Sequence, residues 1–160
     1  MPRMIAEIEA CIPALRRFAI ALLHNQLEAD DLVHNCLVSA FERLPKFGNG
    51  ADPRVHMLTL VYGMAGKQPR PTNPRAVTEP GVVGALARLP FDQRCVLLLT
   101  AVEELSYAST AQVMGSSVEA VVQTLSRARA ALRRYDGDAV PTAPRSLEDV
   151  AAPMALRRVK

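Results

Sequence analysis

Along most of the chain the apolar positions recur at three- and four-residue steps, the period of helices buried on one side. In the first segment, from Ile5 on, the stripe is Leu15, Phe18, Ala19, Leu22 and Leu23, and Pro13 is expected at a helix start. His24-Asn25 interrupts it. A second stripe, Leu32, Cys36, Leu37, Ala40, Phe41 and Leu44, predicts a helix from about Glu28 to Leu44. Glu28, Asp30 and Asp31 suit its positive N-terminal end. Pro45 and the run Phe47 to Asp52 read as a loop. A third helix is expected from Pro53 to about Met64, buried through Val55, Leu58, Leu60 and Val61.

Between residues 66 and 80 the prolines at 69, 71, 74 and 80 prevent helix and favour extended backbone. The periodicity then returns. Gly81 to Leu89 predicts a short helix with Val82, Val83 and Leu86 inward, and Pro90 can open the next. That helix carries the run Val96 to Leu99 and ends near Glu103-Glu104. Ser106 reads as the N-cap of a helix over Tyr107 to Met114, and Gly115 can take the left-handed conformation that stops it. Ser116 or Ser117 caps the last helix, whose apolar residues are Val118, Val121, Val122, Leu125, Ala128 and Leu132. Two helices joined by a glycine turn, the second carrying Arg127, Arg129, Arg133 and Arg134, make a helix-turn-helix pattern. The predicted fold is all-α: two small helical bundles joined by a Pro-rich linker, the C-terminal one containing the helix-turn-helix. The divisions fall at 1–65, 66–80 (linker) and 81–135. Residues 136–160 form a tail, expected to be flexible, with a short helix over Ser146 to Ala151.

Composition narrows the functions open to this fold. The chain has 160 residues, 49% of them hydrophobic, and no Trp, which favours aliphatic helix packing. No apolar stretch approaches the roughly 20 residues of a membrane span, and the N-terminus lacks a secretory layout, so a cytoplasmic location is expected. Cys11, Cys36 and Cys95 are widely separated and each lies in an apolar helical phase, as buried thiols do. His34 and Cys36 point to different faces of one helix, so no metal site is expected there. No Gly-rich phosphate loop, HExxH or Ser-His-acid arrangement is present, and Asp30-Asp31 and Glu103-Glu104 diverge as neighbours on a helix. No catalytic residue, cofactor or enzymatic activity is therefore expected.

Charge is unevenly spread. Residues 1–65 hold 6 basic and 7 acidic side chains, the linker 3 and 1, residues 81–135 6 and 4, and the tail 4 of each. The positive excess thus lies on the linker and the helix-turn-helix half, as attraction to phosphates requires. On the last helix Ser117, Glu119, Ala120, Gln123 and Thr124 are placed to face a DNA groove, with Arg127 reaching a backbone phosphate. Gln123 can read adenine and Glu119 can accept from cytosine.

The run LPFDQRCVLLL…ELSYASTAQVMGSSVEAVVQTLSRARAALR resembles the C-terminal promoter-binding domain of extracytoplasmic-function (ECF) RNA polymerase sigma factors. Leu89, Pro90, Arg94, Val96, Leu105, Ser106, Tyr107, Ala111, Gly115, Val118, Arg127, Ala128, Arg129 and Leu132 carry the pattern. PALRRFAIALLHNQLEADDLVHNCLVSAFERLPKF is similar to the family's N-terminal domain through Ala29, Asp31, Leu32, Val33 and Leu37. The resemblance implies a DNA-binding transcription-initiation subunit, with RNA polymerase core, promoter DNA and an anti-sigma factor as partners. It implies that Asp31, His34, Asn35 and Arg43 touch the polymerase. The N-terminal domain would contact the −10 element and the helix-turn-helix the −35 element. For the −10 element the chain offers Arg54, His56, Tyr62 and Lys67.

The third helix departs from the family pattern. His56 stands where the family carries Trp, Gly63 where it carries Asn and Lys67 where it carries Asp, and Val122 brings no charge to the recognition helix. These departures favour a second reading: a degenerate sigma-like protein that binds an anti-sigma factor or other regulator without recognising promoters.

Overall fold

The computed structural model describes residues 2–43, 50–67 and 81–136. Most of the linker, most of the first loop, and the tail with its expected Ser146–Ala151 helix lie outside the described residues. Every regular element among the described residues is helical, as the periodicity requires. The helices cluster into two compact units.

The first unit is a three-helix bundle of α1 (Pro2–Leu23), α2 (Gln26–Glu42) and α3 (Pro53–Lys67), each packed on the other two. Ile8, Leu15, Phe18, Leu32, Met57, Leu58 and Val61 fill its core. The Cys36 thiol lies 3.4 Å from the Met64 sulfur, joining α2 to α3. Pro13 does not start a helix: α1 runs through it without a break. An interior proline loses one backbone hydrogen bond and costs about 3 kcal/mol. Here the ring is exposed, while Ile8 and Cys11 before it and Leu15 and Phe18 after it share one buried face. Burying each large apolar side chain contributes about 1.5–3 kcal/mol, so packing outweighs the loss.

α1 ends where His24 turns left-handed at φ 51°. The apparent interruption at Asn25 is a cap. Its side-chain oxygen accepts from the Glu28 N–H at 3.2 Å, so α2 starts at Gln26. Phe41, expected in the buried stripe, is 40% exposed, and Ala40 is the buried residue beside it. At the start of α3 the Asp52 carboxylate accepts from the Arg54 N–H at 2.9 Å, and Pro53 occupies the first helical position.

The second unit contains α4 (Gly81–Arg88), α5 (Phe91–Leu97), α6 (Tyr107–Met114) as far as Ala111, and α7 (Val118–Asp136), with α7 packed on both α4 and α5. Leu89, Val96, Leu99, Val113, Val121, Leu125 and Ala128 are buried. Val82 and Val83, expected inward, are 52% and 55% exposed. The buried residues of α4 are Gly84 and Ala85, small enough for a short helix to lie close against its neighbour.

Arg94 ties α4 to α5. Its Nε donates to the Leu86 carbonyl at 2.9 Å, and Nη2 donates to those of Ala87 and Leu89 at 3.0 Å each. Carbonyls at a helix end lack intrahelical partners, and a cation there also suits the helix dipole. Beyond α5 the chain widens into one π-helical turn, Leu98–Val102, closed by the Glu103 N–H to the Leu98 carbonyl at 2.9 Å. Glu104 then takes φ 54° and redirects the chain towards α6.

Candidate nucleic-acid interface

Local chemistry builds the helix-turn-helix. The Ser106 hydroxyl accepts from the Ser109 N–H at 3.1 Å and caps α6. α6 stops at Gly115, whose φ of 61° lets the Ser116 N–H reach the Ala111 carbonyl at 2.9 Å, a Schellman-type closure. Ser117, rather than Ser116, caps α7: its Oγ accepts from the Ala120 N–H at 3.1 Å. Each step uses a residue type suited to its backbone task.

The buried apolar stripe fixes which side of α7 looks outward. Val121, Leu125, Ala128 and Leu132 are buried, and Glu119, Gln123, Ser126, Arg127, Ala130, Arg133 and Arg134 are exposed on the opposite side. Glu119, Gln123 and Arg127 follow one another at four-residue steps and share a face. Ala120 and Thr124 are half-buried along one edge of that face, and Val122 and Arg129 along the other. Ser117 is exposed just ahead of the helix.

Sequence reasoning missed Ser126 and Ala130. Three- and four-residue steps from Gln123 and Arg127 would have found both. It also missed the hydrogen bond between the Tyr107 phenol on α6 and the Arg129 guanidinium on α7. Burial pushes the phenol above its ordinary pKa, while the charge and hydrogen bond of Arg129 oppose the rise.

On α2, Asp31, His34 and Asn35 are exposed on one face, which they share with Glu42 and two apolar residues, Leu27 (78% exposed) and Val38. Arg43 does not join them. It follows the helix at its C-cap, and its charge acts on His56. Burial first, and then Arg43, hold the His56 imidazole below its ordinary pKa.

The residues offered on α3 do not form one surface. His56, Gly63 and Lys67 lie along one side at the 3.6-residue period, whereas Arg54 and Tyr62 fall towards the other. Lys67 is exposed; Arg54, His56 and Tyr62 are half-buried.

All three cysteines are buried and free. Burial pushes the Cys36 thiol up to about 11 and raises those of Cys11 and Cys95, so they serve as small apolar packing groups. Among the described residues no group of His, Cys, Asp or Glu could hold a metal, and no helix is long and apolar enough to cross a membrane.

A helical unit presenting a capped helix-turn-helix, with arginines along the outer side of its second helix, defines a DNA-binding protein of the helix-turn-helix class. Comparisons with known proteins narrow this. The family model described as the Sigma2 domain of PhyR matches residues 8–62, and that for Sigma-70, region 4 matches residues 82–132. The ECF RNA polymerase sigma factor EcfG of Rhodopseudomonas palustris (strain TIE-1) is 28% identical over 146 residues, spanning 79% of this chain and 81% of the relative. The sigma factor RpoE of Bartonella quintana, solved with the anti-sigma factor NepR, superposes with a TM-score of 0.70 at 24% identity, over 84% of this chain and 97% of that one. The anti-anti-sigma factor PhyR of Bartonella quintana, also solved with NepR, gives a TM-score of 0.64 at 19% identity, over 81% and 49%. The chain belongs to the ECF family of sigma factors, the transcription-initiation subunits that direct RNA polymerase core to specific promoters.

Proposed function

We propose how the two units divide this work. Residues 1–65 hold the polymerase through the α2 face of Asp31, His34 and Asn35, with Arg43 at its end. They also contact the −10 element through Arg54, His56, Tyr62 and Lys67. Residues 66–80 link the units. Residues 81–135 read the −35 element, with Ser117, Glu119, Ala120, Gln123 and Thr124 towards the bases and Arg127 on a phosphate. The observation that carries this reading is the exposed alignment of Glu119, Gln123 and Arg127 on a capped recognition helix, within the stretch that matches Sigma-70, region 4. The modest positive charge of this half fits a subunit that borrows much of its DNA affinity from the polymerase. An anti-sigma factor is a further proposed partner, since the sigma factor RpoE was solved with one.

Run-off transcription with core polymerase tests the reading. The wild-type chain should yield promoter-dependent transcripts. Arg127→Ala should weaken promoter binding across sequences and lower the salt slope by about 1. An unchanged slope removes Arg127 from the phosphate contacts.

One finding favours a second reading. Residues 8–62 match the Sigma2 domain of PhyR, and a protein of that name is described as an anti-anti-sigma factor. A sigma-like protein that sequesters an anti-sigma factor without reading promoters would bind that partner and give no promoter-dependent transcript. The run-off assay separates the two.

A further inference from the structure

A helix-turn-helix reads bases only if its two helices keep a fixed angle. Here the turn Gly115 to Ser117 is short, yet one backbone turn is a single vertex about which two rods can still pivot. The hydrogen bond between Tyr107 and Arg129 lies away from that vertex. Tyr107 is the first residue of α6, seven residues from its end at Met114, or about 10 Å along the axis at 1.5 Å per residue. Arg129 lies eleven residues beyond Val118, or about 16 Å along α7. The bond therefore closes a triangle whose other sides are the two helices. Glu119, Gln123 and Arg127 lie on the α7 side, between vertex and closure. Arg127 is about 13 Å from the vertex, so a pivot of about 5° would carry it roughly 1 Å, enough to break a hydrogen bond to a base or phosphate.

We propose that Tyr107 and Arg129 are positioning residues for promoter recognition: their hydrogen bond is a strut that sets the angle of α7 on α6 and so the pose of Glu119, Gln123 and Arg127 on the −35 element. Neither residue needs to touch a base. Both are half-buried, off the exposed face of α7, as a strut rather than a reading residue would be. The inference rests on the −35 reading proposed above.

Tyr107→Phe keeps the ring and removes only the acceptor. In the holoenzyme reconstituted from the full chain and core polymerase, it should lower the preference for the −35 element over a mismatched one by about tenfold or more, the worth of one hydrogen bond to a charged group. Arg129→Gln should lose as much, the double variant no more than either single one, and Arg129→Lys should recover part of the loss. Core-polymerase binding should stay at the wild-type level in all four. A lower melting temperature with wild-type −35 discrimination would make the pair merely structural and overturn the proposal. Additive losses in the double variant would overturn it as well. If the wild-type chain showed no −35 preference while giving transcripts, the −35 reading would fail, and the strut with it.

Discussion

Arg94 is the residue whose removal has the most readable cost. Its guanidinium makes three hydrogen bonds of 2.9–3.0 Å to the carbonyls of Leu86, Ala87 and Leu89, of which only that of Leu86 is also shown accepting a backbone N–H, from Leu89 at 3.2 Å. A hydrogen bond to a charged group contributes about 1.5–3 kcal/mol, but three made by one half-buried side chain are not additive. Water can reach part of the released backbone, so Arg94→Ala should destabilise the second unit by about 2–4 kcal/mol. For a unit of this size that lowers the melting temperature by at least about 8 °C, read by circular dichroism on the full chain. Hydrogen exchange should show the amides of α4 losing protection while those of α1 to α3 keep theirs. Arg94→Lys, a point donor without the planar fork, should recover less than half of the loss. A cost below about 0.5 kcal/mol for Arg94→Ala, the range of ordinary surface substitutions, would refute the claim that this side chain joins α4 to α5.

Three further substitutions read other features. At Gly115 an added Cβ would meet nothing within 4 Å, so Gly115→Ala should cost only the left-handed backbone term, about 1–2 kcal/mol, and Gly115→Asn less; equal denaturation midpoints for glycine and alanine would contradict this. Thr110 is fully buried and its hydroxyl meets no protein hydrogen-bond partner, so Thr110→Val should raise the midpoint by about 1 kcal/mol of stability, and a fall would show that the hydroxyl is satisfied. The imidazole of His56 is held below its ordinary value of 6.5, so the unfolded chain binds this proton more readily than the folded one. Stability should therefore fall as pH drops below about 6.5, down to the folded pKa, and recover above it. In His56→Gln that part of the pH dependence should disappear; an identical profile would exclude the group.

What was legible in the sequence was local. Gly115, Ser106 and the alternation of Val121, Leu125 and Ala128 each announce their backbone state or buried side within a few residues, and the structure has them in those roles. What misled was decided by partners. Pro13 looked like a start because propensity argues against an interior proline, and the core of α1 overrules it. Val82 and Val83 looked inward because they are the larger side chains, but the neighbour of α4 admits Gly84 and Ala85. His24-Asn25 looked like a plain break because the Asn25 cap shows only when its side chain meets the Glu28 N–H. The α3 set, Arg54, His56, Tyr62 and Lys67, came from resemblance rather than helical period, so its members are split between two sides. The Tyr107–Arg129 bond spans two helices and leaves no periodic trace in the chain.

The caps and the glycine turn that hold the reading helix in place lie outside the exposed row of Glu119, Gln123 and Arg127, and that row carries none of the core. Substitution along it is therefore nearly silent for folding and, on the proposed −35 reading, alters which bases are met. On that reading a lineage carrying this architecture can shift to new promoter sequences one residue at a time, without first acquiring compensating stability elsewhere.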